Sequence, residues 1–337
     1  MPGVETCPKR MRYGPCGGVR ADLDCEMAAI PCPFATRGVV PWSGPPPPAH
    51  RAVPPLLADS ARRPVVLTDL TVRPYDRAGL SEVVRVLAPV SDGLLVGEHQ
   101  GRPDFPPTVM ASSIAEAGGR AWVTLTCRDR NRVVLEQDLA GLVLAGAAGV
   151  LCVTGDGRAP GVRPDVTQVF DVDGTRLAAM AAAAGLPVAV PESPDAPPRG
   201  LRAARLRQKQ DAGAQLCVLN HVGSPARLSG FAAECRDAGT TLPLIASVAV
   251  YTDEHSASVL QRFPGLALSR SAVDAVLGAA DPVAAGIAAA VAEARALLAV
   301  DGVVGVNLSG AASGRGELFA AGIKADVARC IAEIGVS

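Results

Sequence analysis

Between residues 121 and 158 the chain completes one cycle of a pattern that then repeats. An apolar, β-prone run at 122–125 ends in a polar burst, Thr126-Cys127-Arg128-Asp129-Arg130-Asn131-Arg132. Val134, Leu135, Leu139, Leu142 and Val143 follow at helical spacing, and Gly149 stops that helix. A second apolar run at 150–153 ends in Thr154-Gly155-Asp156-Gly157-Arg158. This predicts a βαβ unit in which both strands end in clusters of functional groups. From residue 64 the alternation predicts strands at 65–70, 93–96, 121–126, 150–154, 187–190, 215–220, 242–247 and 303–307. Helical patterns fall at 77–87, 108–117, 132–147, 174–184, 201–212, 225–238, across 254–299, and at 317–334. Eight strands, each followed by helix, fit a (β/α)8 TIM barrel. The rival is an open doubly wound sheet, but no GxGxxG follows the first strand.

In a parallel barrel the carboxyl ends of the strands form one mouth, where ligands bind. The residues expected there are Asp69; Glu98 and His99; Thr126, Arg128 and Asp129; Thr154 and Asp156; Glu192; Asn220 and His221; Ser247; Asn307 and Ser309. Acids at several strand ends suit an enzyme better than a scaffold.

The first 63 residues break the pattern. Residues 1–35 carry Cys7, Cys16, Cys25 and Cys32 among prolines and glycines, with too little apolar material for a core. Four thiolates could gather such a segment around one zinc or one iron–sulfur cluster; four unrelated free thiols are the alternative. Residues 36–63, with Pro45-Pro46-Pro47-Pro48, read as a semi-rigid linker to a catalytic domain at 64–337.

Composition narrows the classes. The chain has 337 residues, 49% of them hydrophobic and only 3% aromatic, which suits an aliphatic α/β core. A formal net charge of −1 argues against a nucleic-acid binder. No apolar run is long enough for a membrane span, and the N-terminus lacks the basic and apolar regions of a secretory signal. A cytoplasmic location is the expectation, with the nine cysteines reduced or metal-bound.

Thr124-Leu125-Thr126-Cys127-Arg128-Asp129-Arg130-Asn131, followed one unit later by Thr154-Gly155-Asp156, resembles methylenetetrahydrofolate reductase. Pro191-Glu192 and Lys209-Gln210-Asp211-Ala212-Gly213-Ala214 resemble further motifs of that family in the same order. Cys7-Pro8-Lys9-Arg10-Met11-Arg12-Tyr13-Gly14-Pro15-Cys16-Gly17-Gly18 with Cys25-Glu26 looks like the cysteine-rich module accompanying some bacterial members, where it binds metal.

The resemblance implies reduction of 5,10-methylenetetrahydrofolate to 5-methyltetrahydrofolate, with hydride passing from NAD(P)H through FAD. On it, Asp69 would be the general acid and Asp156 would stabilise the iminium ion. Asn220, Glu192 and Thr126 would bind the folate. Lys209, Arg128, Asp129, Thr154, Gly155 and Asp156 would contact flavin, and the four cysteines would hold the metal. A redox partner protein or a homo-oligomer would be compatible. Thr124 and Thr154 replace residues that face flavin in the family, and this keeps two alternatives open. One is a flavin-free folate reductase; the other is a non-catalytic folate-binding partner of a redox or methyl-transfer complex.

Overall fold

The computed structural model describes residues 6–49, 51–261, 266, 268–310 and 313–334. Its eight strands pair in chain order, all parallel, and β8 closes on β1. They are β1 (Val65–Leu70), β2 (Gly93–Val96), β3 (Ala121–Thr126), β4 (Gly149–Val153), β5 (Val188–Glu192), β6 (Leu216–Leu219), β7 (Leu244–Ala249) and β8 (Val303–Ser309). The expected (β/α)8 barrel is therefore the fold.

Helices α1 (Arg77–Leu87), α2 (Pro107–Glu116), α3 (Arg132–Leu144), α4 (Gly174–Ala183), α5 (Arg202–Asp211) and α6 (Pro225–Asp237) lie between successive strands. The long helical region read at 254–299 is three helices: α7 (Glu254–Gln261), α8 (Arg270–Leu277) and α9 (Pro282–Leu298). Ser269 caps α8 and Asp281 caps α9, so each cap starts a new helix where the composition alone suggested continuation. Their apolar faces form a satellite core with Ala249 and Tyr251 at the end of β7. Helix α10 (Glu317–Ala332) completes the ring. Among the described residues, no helix is long and apolar enough to cross a membrane.

Side chains alternate in and out along a strand. Val65, Leu67, Leu95, Trp122, Leu151, Ala189, Leu216, Val218 and Ile245 fill the barrel interior. Their neighbours Val66, Leu94, Val123, Val150, Val188, Cys217 and Val306 pack outward under the helices. Among the described residues, Trp122 is the one large ring inside. Gly93 and Gly149 flank it, where a Cβ would stand 2.6 and 2.5 Å from the indole.

The segment expected to be a linker is a strap packed along the barrel. It starts at the mouth, where Tyr13 lies against Trp42 with ring centroids 5.0 Å apart. It passes α5, where Gln208 Nε2 donates to the Val40 carbonyl at 3.1 Å. At the turns that precede β5 and β6, Arg51 donates to the carbonyls of Leu186 and Gly213 and to Gln215 Oε1. A 3₁₀ turn, Pro55–Leu57, then inserts Leu56 into the floor of the barrel, 2% exposed, against the interior set.

Leu56→Ala should remove that floor. We expect a loss of about 2–5 kcal/mol in urea unfolding, the range for deleting a buried leucine side chain. A change within about 0.5 kcal/mol would mean that the floor closes without it.

Candidate functional site at the barrel mouth

Strand parity divides the expected mouth residues into two groups. Asp69, Thr126, Asn220, Ser247 and Asn307 continue the inward series of β1, β3, β6, β7 and β8. Ser247 and Asn307 are register partners, and Asp69 lies next to them. Asn307 Nδ2 donates to Asp69 Oδ1 at 3.0 Å, and Ser309 also bonds the Asp69 carboxyl. Burial pushes the Asp69 carboxyl above the ordinary aspartate range, against the opposing pull of Lys324, Asn307 and Ser309. Asn307 is 3% exposed, and its Oδ1 has no hydrogen-bond partner. Ser247 donates its hydroxyl proton to the Leu219 carbonyl at 2.7 Å, which leaves its oxygen to accept. Asn220 Oδ1 accepts the His221 backbone N–H at 2.9 Å.

Lys324 was not singled out from the sequence. It comes from α10 and donates to the Asp69 carbonyl at 2.7 Å and to the Gly310 carbonyl at 3.1 Å. Burial lowers its pKa to about 8, with Asp69 opposing. Its signal was a lysine on the same helix face as Ala320, Ala321, Ala328 and Ile331, all buried.

The remaining expected residues are committed to one another. Glu192 continues the outward series of β5 and lies under α5, paired with Lys209 Nζ at 2.7 Å and Arg202 Nη1 at 3.5 Å. Burial would raise the Glu192 pKa, but Lys209 and Arg202 hold it below the ordinary glutamate range. Neither Glu192 nor Lys209 is brought to the mouth. Thr126 Oγ1 donates to Glu98 at 2.7 Å, and Glu98 also receives Arg130, which bridges to Asp138. Asp129 is shared by Arg128 at 3.0 Å and Arg158 at 2.8 Å.

The β4 end is covered by the cysteine-rich segment. Lys9 is 2% exposed. Its Nζ donates to the Gly155 carbonyl at 2.6 Å, pairs with Glu26, and stands 5.6 Å from the Phe170 ring centroid. Burial opposes the Lys9 charge, yet Cys16, Glu26 and Asp156 raise its pKa above the ordinary lysine value. Met11 packs against Thr154, which points toward α4 and accepts the Gly174 N–H at 2.9 Å. The Arg12 amide donates to Asp173 at 2.9 Å. Thr154 and Gly155, expected to contact a flavin, are met by the chain's own N-terminal segment, Met11 at the Thr154 hydroxyl and Lys9 at the Gly155 carbonyl, and Asp156 is exposed beside them.

Cys7, Cys16 and Cys32 share a small core with Met11, Val19 and Phe34. Among the described residues, no three His, Cys, Asp or Glu side chains are gathered as a metal site requires.

No family model and no curated protein matches the chain. Similar solved structures include tryptophan synthase from M. tuberculosis, at 13% identity over 83% of this chain and 98% of that one, with a TM-score of 0.48. Oxaloacetate acetylhydrolase is matched at 12% identity over 58% and 72% of the two chains, with a TM-score of 0.41. 2,3-Dimethylmalate lyase, of the PEP mutase/isocitrate lyase superfamily, is matched at 14% identity over 56% of this chain and 66% of that one, with a TM-score of 0.40. The chain thus spans just under two thirds of that lyase.

None of these is a folate reductase. The expected reduction of methylenetetrahydrofolate is corrected on this finding, together with its two folate-based alternatives. The FAD and NAD(P)H inferred with that reaction lose their basis. At these identities and scores the likenesses carry no activity over to this chain.

His221 offers a pH test of the mouth. It is 6% exposed, both ring nitrogens lack partners, and burial lowers its pKa to about 4. The unfolded chain therefore binds more protons between about pH 6.5 and pH 4. Stability is full above that window and falls as pH drops through it, by at most about 3 kcal/mol from this group. Urea midpoints across the window should fall more steeply in the parent than in His221→Gln; parallel curves would show a histidine that titrates normally.

Proposed function

We propose that the mouth of the barrel is an acid–base active site for a small polar molecule, with Asp69 as the proton donor. The observation that carries this is the Asp69–Asn307 pair. A carboxyl pushed toward its protonated form lies beside a buried amide whose carbonyl oxygen is unpartnered. An unpartnered buried acceptor costs about 1–3 kcal/mol, which a ligand N–H or O–H would relieve.

The wall offers acceptors at Asn307 Oδ1 and Ser247 Oγ, and one transferable proton at Asp69. A molecule that fits presents donors to β7 and β8. It presents an oxygen or nitrogen that gains a proton to β1. In this role Asp69 protonates a carbonyl or a departing group and returns to its acid form from water. Lys324 stabilises the carboxylate formed in between, an arrangement suited to general acid catalysis.

Three measurements test the reading. Carboxyl-carbon NMR should place the Asp69 midpoint above that of the ordinary aspartates. In saturation-transfer NMR with small neutral amides, ureas and hydroxy-carbonyl compounds, binding should weaken at least tenfold in Asn307→Ala. Turnover of any such compound should fall by roughly 10² to 10⁴ in Asp69→Asn. An Asp69 with an ordinary midpoint, or ligands indifferent to Asn307→Ala, would remove the site.

A second reading concerns the cysteine-rich segment, which we propose closes around one metal ion through Cys7, Cys16, Cys25 and Cys32. Three of the four sulfurs receive a backbone N–H from two residues ahead: Lys9 to Cys7, Gly18 to Cys16, and Met27 to Cys25 at 3.4 Å. Such donors stabilise a thiolate. Burial otherwise raises the Cys7 thiol, and raises Cys16 to about 11, so coordination would supply the charge that holds the thiolates ionised. Zinc added to the reduced chain should bind with a stoichiometry of about one and release protons. Failure to bind, with all four thiols freely titratable, would leave them as plain thiols.

A further inference from the structure

The cysteine-rich segment grips the Gly155–Gly157 loop with the Lys9–Glu26 pair. Lys9 Nζ grips the Gly155 carbonyl, and Glu26 Oε2 accepts the Gly157 N–H at 3.4 Å. Residues Gly155 to Gly157 are thus held from above by a cation and an anion that also bind each other.

Cysteines touch this clamp from both sides. The Cys7 sulfur receives the backbone N–H of Lys9 itself. Cys16 Sγ stands 3.7 Å from Glu26 Oε1, the oxygen bound to Lys9 Nζ. The residue after Glu26, Met27, donates its amide to Cys25. The backbone positions of Lys9 and Glu26 are therefore set by sulfur contacts one or two residues away. A disulfide brings two Cβ atoms to about 3.8 Å and fixes their torsion. It replaces a free thiol with a sulfur whose direction is set by its new bond, so the present N–H···S contacts and the reach of Lys9 to Gly155 do not survive together.

The geometry points to a thiol-governed latch: the bonding state of the module's cysteines sets whether Lys9 and Glu26 hold the Gly155–Gly157 loop down on the barrel rim. With a diazene oxidant, two module thiols form one S–S bond. Their two protons and two electrons pass to the N=N double bond, which becomes a hydrazine, and the clamp opens. The latch belongs to the metal-free module, in which all four thiols are free; it rests on these contacts alone and stands apart from the role given to Asp69.

Hydrogen exchange of the 155–157 amides reads the latch directly. The parent should carry Cys330→Ser, because Cys330 is the exposed thiol. Diamide should remove two hydrogens by intact mass, with the bridge mapped among Cys7, Cys16, Cys25 and Cys32. Exchange at 155–157 should then rise at least tenfold while the β1 and β3 amides stay protected. The reduced Lys9→Met/Glu26→Gln chain should show the fast exchange already, with no further rise on oxidation. Should that chain lose protection throughout the barrel, Glu26→Gln alone decides by the same readout. Protection kept after the bridge forms, failure of diamide to form a bridge, or a clamp variant as protected as its parent would each overturn the latch.

Discussion

Closure of eight parallel strands around a single indole fixes the parity of every strand. Trp122 fits only because Gly93 and Gly149 lie on either side of it, and this locks β2, β3 and β4 in register. Once that register is set, alternation decides which strand-end side chains look into the lumen and which look back under the helices. Asp69, Ser247 and Asn307 are lumen residues for this reason. Glu192, one step from an inward position, becomes instead the centre of a buried ion cluster with Lys209 and Arg202. Polar residues at the ends of different strands thus receive opposite surroundings, some facing the lumen and others closed in under the helices.

Electrostatics follows the same division. Behind β5, cations and an anion are taken out of water together, and their mutual attraction must offset a desolvation cost of several kcal/mol per ion. Such a cluster is closed to a ligand because each charge is already matched. In the lumen, matching is incomplete. Asp69 has an amide and a hydroxyl for company, while Asn307 keeps one oxygen unpartnered. Incomplete satisfaction at low exposure is the more informative sign of a binding function.

The period of the barrel was legible in the spacing of its apolar runs, but the expected helix stop was misplaced: α3 ends at Leu144, Gly146 takes the positive φ that follows it, and Gly149 is already the first residue of β4. The Asp69 strand end was legible too, since an acid after an apolar run stands out. The facing of each rim residue was written in the same alternation, yet it becomes readable only when one residue is known to be inside. Trp122, ambiguous alone, is that reference. Contacts between distant segments had no local signature. Nothing around Lys9 announces Gly155, and nothing around Arg51 announces Leu186. A proline-rich stretch looks like a spacer in sequence whether it hangs free or lies against a helix, because the polyproline II conformation satisfies either.

The cysteine-rich segment and the strap also dictate an order of assembly. Lys9 meets a loop 146 residues later, and Val40 meets a side chain 168 residues later. On a ribosome the first segment is made long before the surfaces that receive it, and Leu56 has no floor to enter until the strands around it close. Joining ends so far apart adds an entropic cost that grows only as the logarithm of the loop length, so the final state bears it easily. The rate bears it less well, because such non-local contacts form late and slow the approach to the native state. The segments that precede β1 are therefore made before the surfaces they cover and settle after them, and the barrel must be built before that cover can close.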